Sequence, residues 1–233
     1  MAVIHRTVLT PTKLELLTAW LPSRPWYRGG PGGPELAKAG GFRLDDPEGE
    51  VGIEFMVVTD TSTPDPVTYL VPMTYRGAPL PGAGHALIGT MDHGVLGSRW
   101  AYDGCHDPVL ITQLQSLIEG RAHPQAQSIT DTPDPDVTRS CTAPSLPPTD
   151  FTTPTTDTPE GTTLPAPHGT TLHLHRLLTP TKAPTPNQAT PLTPNPNPTA
   201  HPTDHPIGHV TGHWRTPSGT PARGLFATLH STP

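Results

Sequence analysis

Two spacings of apolar residues run through the N-terminal half of the chain, one helical and one of strand type. Apolar residues recur at helical spacing from Leu14 to Leu21, which predicts a first helix. Thr10 is the expected N-cap of this helix, and Pro22 is the expected stop.

A second helix is predicted more strongly. Asp107 is its expected N-cap, Pro108 suits its first position, and Gly120 suits its end. The apolar residues within these limits share one face, and this buried stripe comprises Leu110, Leu114, Leu117 and Ile118.

Alternating apolar residues predict strands before the second helix. Residues 51–57 and 67–75 each carry apolar side chains at every second position, so each set shares one face of a sheet. Pro72 interrupts the second set, which indicates an edge or bulged strand. Residues 42–44 are expected to pair with the first set, and a further strand pair is predicted within 86–102.

The composition changes abruptly at about Thr142. From there to Pro206, threonine, proline and asparagine dominate, and such a stretch buries too little apolar surface to offset its backbone entropy. A long, disordered, low-complexity insertion is therefore predicted, and 179–206 is its most extreme part. One alternating segment at 170–178 interrupts the insertion and is typical of a strand.

Order is predicted to return in a C-terminal β-hairpin at 208–230, whose large apolar side chains need a surface to pack on. The simplest surface is the N-terminal sheet. We therefore expect an α+β fold, mainly an antiparallel sheet packed on one or two helices. Its parts are a domain at 1–141, a Thr/Pro-rich loop at 142–207, and the hairpin docked on the first domain.

The charge and targeting signals limit the classes of partner. The net charge is −6 and no Lys/Arg cluster is present, so nucleic acid and anionic membranes are not expected as partners. The N-terminal residues lack the features of a signal peptide, and no apolar run approaches membrane-spanning length. Cys105 and Cys141 lie in no paired motif and are expected to be free thiols. We predict a cytoplasmic protein.

The glycine-rich residues 29–41 do not form a phosphate-binding motif. They lack the Gly-Lys-Ser/Thr that such a loop needs, and Pro31 and Pro34 remove backbone amides. A surface loop is predicted there, with one helical turn at 35–38.

Thirteen histidines raise the question of a metal site, and four of them lie four residues apart: His201, His205, His209 and His213. Prolines inside that run exclude a continuous helix. His173 and His175 share one face of the strand predicted at 170–178, but no acidic or cysteine ligand lies near them in sequence. We therefore predict no metal ion, no other cofactor and no catalytic residue.

Two groups of charged residues are better explained by local structure than by acid–base chemistry. The carboxylates at 45–54 lie in and beside a predicted turn. Asp103, His106 and Asp107 form a small polar group before the second helix, and Asp107 is explained as a cap.

The group formed by Arg24, Trp26, Tyr27 and Arg28 is richer in binding hot-spot residue types than the end of a loop requires. It is a candidate partner interface. The alternative is that Trp20 and Trp26 cover one end of the core.

The run Trp-Leu-Pro-Ser-Arg-Pro-Trp-Tyr-Arg-Gly-Gly at 20–30 is similar to the opening of the N-terminal cap domain of actinobacterial maltokinases. In that family an arginine and aromatic group leads to Gly-Lys, whereas Gly30 stands here in place of the lysine. Residues 40–60 resemble short actinobacterial proteins that carry only this cap-like module. The resemblance extends over 1–141 and 208–230.

The resemblance implies a cystatin-like sheet wrapped on a helix. In the two-lobed kinases this cap is set against the ATP-binding lobe and supplies no catalytic residue. The kinase catalytic loop and metal-binding aspartate motifs are missing from this sequence.

We therefore expect a non-catalytic accessory or regulatory module, with a sugar kinase or an α-glucan-metabolising enzyme as its partner. One alternative is a degenerate or complementing part of a maltokinase- or glucosamine-kinase-like enzyme. A small-ligand carrier is a third class, but no residue gives positive evidence for it.

Overall fold

The structure, a computed structural model, describes residues 8–129, 131–143, 146–167, 169–181 and 206–231. These residues form two α-helices, α1 (Lys13–Trp20) and α2 (Pro108–Glu119). They also form thirteen strands: β1 (Leu9–Thr10), β2 (Leu36–Leu44), β3 (Gly52–Asp60), β4 (Val67–Arg76), β5 (Leu87–His93), β6 (Gly97–Asp103), β7 (Gln125–Ala126), β8 (Thr138–Cys141), β9 (Thr156–Thr158), β10 (Gly161–Leu164), β11 (Thr170–Leu174), β12 (Pro206–Arg215) and β13 (Pro221–Ser231).

The described strands form one antiparallel sheet. Its order is β1-β5-β6-β4-β3-β2-β12-β13-β11-β10-β9, with β7 beside β2 and β8 beside β12. The sheet also closes on itself beyond β11. Leu70 N donates to Arg176 O at 2.9 Å, and Leu178 N donates to Thr68 O at 2.8 Å. Strands β4, β3, β2, β12, β13 and the continuation of β11 therefore form a barrel-like ring, which the sequence did not predict.

Two hydrophobic cores lie on the two faces of the central strands, as the alternation in β3 and β4 predicts. Phe55 and its β3 neighbours at alternate positions pack with α2 and the C-terminal strands. Met56 and Val58 point the other way and pack with α1. The antiparallel sheet packed on two helices is thus confirmed.

The second helix agrees with its prediction, and the first helix begins later than predicted. The Asp107 carboxylate accepts a hydrogen bond from Val109 N, and Gly120 ends α2 with a φ of +83°. In α1 the N-cap is Thr12 instead of Thr10, because Thr12 and Glu15 form a reciprocal capping box. No helix in the described ranges is long and apolar enough to cross a membrane.

The prediction that Pro72 marks an edge or bulged strand is wrong, because β4 is central and pairs with β3 without a register shift. On one side of β4, Pro72 lies opposite Phe55 of β3. On the other side, the neighbour changes from residues 176–178 to β6, whose pairing begins at Met73. Pro72 lies at this change of partner, where the sheet does not need a hydrogen bond from its backbone nitrogen.

The surface loop predicted at 29–41, with its helical turn at 35–38, is wrong from Leu36 onward, because β2 begins there. Strand β2 runs between β3 and β12. At Gly40 an added Cβ would lie 3.0 Å from His213 O, so glycine permits the close approach of β12. The glycines at this point therefore serve sheet packing.

The predicted disorder from Thr142 onward is too broad. Strands β9 and β10 form within that segment, and β11 confirms the strand predicted at 170–178. Four leucines of the segment are buried in the core beside α2: Leu164, Leu172, Leu174 and Leu178. Threonine hydroxyls of the segment donate hydrogen bonds to nearby polar groups, as Thr155 does to Cys105 O and Thr162 to Asp157. Most of the extreme part at 179–206, namely residues 182–205, lies outside the described residues.

The C-terminal hairpin of β12 and β13 is present, and it lies next to β2 through the pair Trp214–Gly40. Trp214 is 3% exposed and Phe226 is 1% exposed. Leu225, the residue before Phe226, is exposed, and the strand register shifts opposite it, between Val210 and Thr211.

Candidate functional site

The predicted interface residues lie at the corner after α1, but most of their side chains contact other residues of the same chain. Trp26 is fully buried, which fits the alternative of core packing, and its ring lies 5.8 Å from that of Tyr69. Tyr27 stacks on Tyr69 and donates a hydrogen bond to Asp60 at 3.1 Å. Burial, with the nearby Asp60, raises the pKa of Tyr27.

The two arginines of this corner keep more contact with solvent. Arg24 lies over the Trp20 ring at 4.8 Å. Arg28 is exposed and donates from Nη2 to Pro159 O at 2.9 Å, in the turn between β9 and β10. The corner therefore joins the N-terminal sheet to the Thr/Pro-rich segment.

Beneath Trp26 lies Arg176, a fully buried arginine that sequence reasoning missed. Its guanidinium donates to Asp103 at 2.5 Å and to the Thr162 hydroxyl at 2.7 Å. The guanidinium carbon lies 4.8 Å from the centroid of the Trp26 ring. Arg176 thereby connects β6, β10 and the corner after α1.

A cluster of titratable groups opens from this buried ion pair toward the surface. Asp103, His106 and Asp157 each offer a donor atom, and these atoms lie within 4.8 Å of one another. They are, among the described residues, the group able to hold a metal ion. Burial lowers the pKa of His106, and burial also raises the pKa of the neighbouring Cys105 thiol. Sequence reasoning found Asp103 and His106 but had no signal for Asp157, because strand β9 was not predicted.

A second buried polar group surrounds Glu54 on the side of α1. Its carboxylate accepts hydrogen bonds from Lys13, from the Tyr75 hydroxyl at 2.6 Å and from Gln127 at 3.1 Å. Burial alone would raise the pKa of Glu54, but the charge and hydrogen bond of Lys13, together with the hydroxyl of Tyr75, bring it below its usual range. This carboxylate is fully engaged in tying α1 to β3 and β4.

Asp46, in the predicted turn, accepts hydrogen bonds from three backbone N–H groups and is likewise structural.

Histidines cover the outer face of the C-terminal strands. The rings of His173 and His175 meet edge to face at 5.2 Å, and His175 and His230 both hydrogen-bond the Thr228 hydroxyl. Burial, reinforced by His173 and His230, lowers the pKa of His175 to about 4. Of the four histidines spaced by four, His209 lies on this face, and 201 and 205 lie outside the described residues. Both cysteines are free thiols.

An exposed aliphatic patch lies at the turn between β5 and β6. We name Val8, Val95 and Leu96 the turn patch; they are 77%, 61% and 45% exposed. Gly94 N donates to Val8 O, so the backbone at Val8 lies beside this turn. Turns of this kind usually carry polar residues, so the patch is unusual for a solvated surface.

Comparison with protein families identifies a match in the N-terminal half of the chain. No curated protein matches the chain. Residues 20–107, from the end of α1 through β2–β6 to the N-cap of α2, match the family described as the maltokinase N-terminal cap domain. The resemblance noted in the sequence is therefore confirmed over this segment, which is similar to the cap domain of maltokinases.

Proposed function

We propose that the chain is a non-catalytic accessory module that docks on a sugar kinase or an α-glucan-metabolising enzyme. The observation that carries this proposal is the match of residues 20–107 to the maltokinase N-terminal cap domain. In the two-lobed kinases that carry this cap, the resemblance implies that the cap lies against the ATP-binding lobe and supplies no catalytic residue. A module of this kind would act by contact, and it would share the cytoplasm with its partner.

The turn patch supports docking through the cap-like segment. Val95 and Leu96 lie inside the matched residues and expose aliphatic surface at the tip of a turn. Burial of such surface is favourable by about 25 cal/mol per Å² of apolar area, so a partner that covers the turn gains affinity. We assign the main contact to this patch.

The corner after α1 is the second candidate surface. The side chains of Arg24 and Arg28 reach solvent there, while Trp26 beneath them supports the backbone. An arginine held against an aromatic ring loses little freedom on binding, which is one reason why arginines are frequent at hot spots. The two arginines of this corner are therefore proposed as a secondary contact, and Trp26, which is buried beneath them, is left out of it.

Measurement of ADP release separates the accessory module from a complementing kinase fragment. The full chain is incubated with Mg-ATP and maltose, glucose or glucosamine, alone and with each purified maltokinase-type sugar kinase of the same genome. We expect no turnover by the chain alone, since the sequence has neither a phosphate loop nor a kinase catalytic loop.

Two results would argue against the proposal. Sugar-dependent ADP release by the chain alone, at roughly 1 s⁻¹ or faster, would make it an enzyme. Turnover that arises only when the chain is added to an inactive kinase would favour the complementing fragment.

A further inference from the structure

Three donor groups from distant parts of the sequence meet at one place, beside the buried Arg176. Asp103 ends β6, His106 ends the 3₁₀ turn that follows, and Asp157 lies in β9. Their donor atoms lie within 4.8 Å of one another. An imidazole with two carboxylates is a donor set that Zn²⁺ and similar divalent ions accept in proteins.

His85 fixes the orientation of the His106 ring. His85 Nε2 lies 3.2 Å from His106 Nδ1, so these two nitrogens share a proton, and the rings meet edge to face at 4.8 Å. With Nδ1 of His106 engaged by His85, Nε2 is the ring nitrogen that a ligand could use. Histidines that bind metals usually hydrogen-bond through the other ring nitrogen in this way.

The charges around the cluster also leave room for a cation. Asp103 and Asp157 bring two negative charges, and Arg176 balances one of them. Arg176 lies 2.5 Å from Asp103 but 3.9 Å from Asp157. In charge, the carboxylate of Asp157 is therefore the less compensated of the two, although its Oδ1 also accepts a hydrogen bond from the Thr162 hydroxyl at 2.5 Å. Its side chain is 15% exposed and is accessible from solvent.

We propose that Asp103, His106 and Asp157 bind a divalent transition-metal ion, with Zn²⁺ as the best fit, and that His85 positions the His106 ring. Donors around tetrahedral Zn²⁺ lie about 3.3–3.6 Å apart, given bonds of about 2.0–2.2 Å. Donors at most 4.8 Å apart reach this spacing with a contraction of roughly 1 Å. The ion would fasten β9 to β6, and with it the Thr/Pro-rich segment to the cap-like segment.

The test is a calorimetric titration of the EDTA-treated, dialysed full chain with ZnCl₂, repeated with CoCl₂ to observe visible absorption bands. The variants are Asp157→Asn, His106→Gln and His85→Ala. His123→Ala removes an exposed histidine elsewhere, and His173→Ala removes one from the histidine-covered face, so these two are matched controls. Thermal melting without metal confirms that each variant is folded.

We expect one tight equivalent of Zn²⁺ in the parent chain and in both controls. This equivalent should disappear in Asp157→Asn and in His106→Gln, and it should bind roughly 10–100-fold more weakly in His85→Ala. An absence of binding in the parent chain would overturn the proposal, and so would unchanged binding in folded Asp157→Asn and His106→Gln. Wild-type affinity in His85→Ala would overturn the positioning role of His85.

Discussion

Replacement of Arg176 by methionine should strongly destabilise the protein. The substitution removes the positive charge beside the Asp103 carboxylate, which is 1% exposed and keeps the Cys105 N–H as a hydrogen-bond donor. It also removes the bond to Thr162 and the contact with the Trp26 ring. Breaking a buried ion pair on one side costs about 3–5 kcal/mol, because the remaining charge stays buried. For a protein of this size, each kcal/mol lowers Tm by about 2–4 °C, so Tm should fall by roughly 6–20 °C.

The assay is chemical and thermal unfolding in EDTA, which excludes any bound metal. Arg215→Met, at an exposed arginine, is the matched control and should change stability by no more than about 0.5 kcal/mol. A double-mutant cycle with Asp103→Asn isolates the pair, and its coupling free energy should exceed about 1 kcal/mol. If Arg176→Met lowers the free energy of unfolding by less than about 1 kcal/mol, the ion pair does not join the Thr/Pro-rich segment to the sheet. A coupling free energy near zero between Arg176 and Asp103 would refute this view as well.

Three further predictions concern the rest of the fold. Trp214→Ala should cost about 3–5 kcal/mol in unfolding experiments, since this ring is 3% exposed; a loss below about 0.5 kcal/mol would mean that the hairpin contributes nothing to the core. Replacement of residues 183–204 by twelve Gly/Ser residues should preserve cooperative melting, because that stretch has almost no apolar side chains to bury, and a non-cooperative melt would contradict this. Stability should fall as the pH drops from about 6.5 toward 4, because the lowered pKa of His175 lets the unfolded chain bind more protons than the folded one. That histidine alone should lower the free energy of unfolding by about 3 kcal/mol at pH 4 relative to neutral pH. If the Tm of His175→Gln falls with pH as steeply as that of the parent chain, His175 is not the origin.

The sequence predicted the elements whose signals are local. Helix α2 has a cap, a proline and a terminal glycine at its own ends, and the faces of β3 and β4 follow from period-two alternation. The hairpin of β12 and β13 has its turn residues in place. These features need no knowledge of distant contacts.

The features that were missed depend on partners far away in the chain. Pro72 is tolerated in a central strand because its neighbour changes there, which no local pattern shows. Strands β9 and β10 form because a few leucines and Arg176 pack against the cap-like segment, despite a composition typical of disorder. The metal-type cluster stayed hidden for the same reason, since Asp157 lies in β9.

Direct binding to a purified sugar kinase is the measurement that tests the proposed function most closely. The full chain is titrated against each maltokinase-type kinase of the same genome by biolayer interferometry. The variants are Leu96→Asp in the turn patch, Arg24→Ala at the corner after α1, and Thr220→Asp in the exposed β12–β13 turn as the control. Our account predicts binding of one kinase with micromolar or tighter Kd, about tenfold or more weakened by Leu96→Asp and unchanged by Thr220→Asp. If only Arg24→Ala weakens binding, the main contact is the corner after α1 and not the turn patch. If none of these kinases binds the chain, docking on a sugar kinase is contradicted.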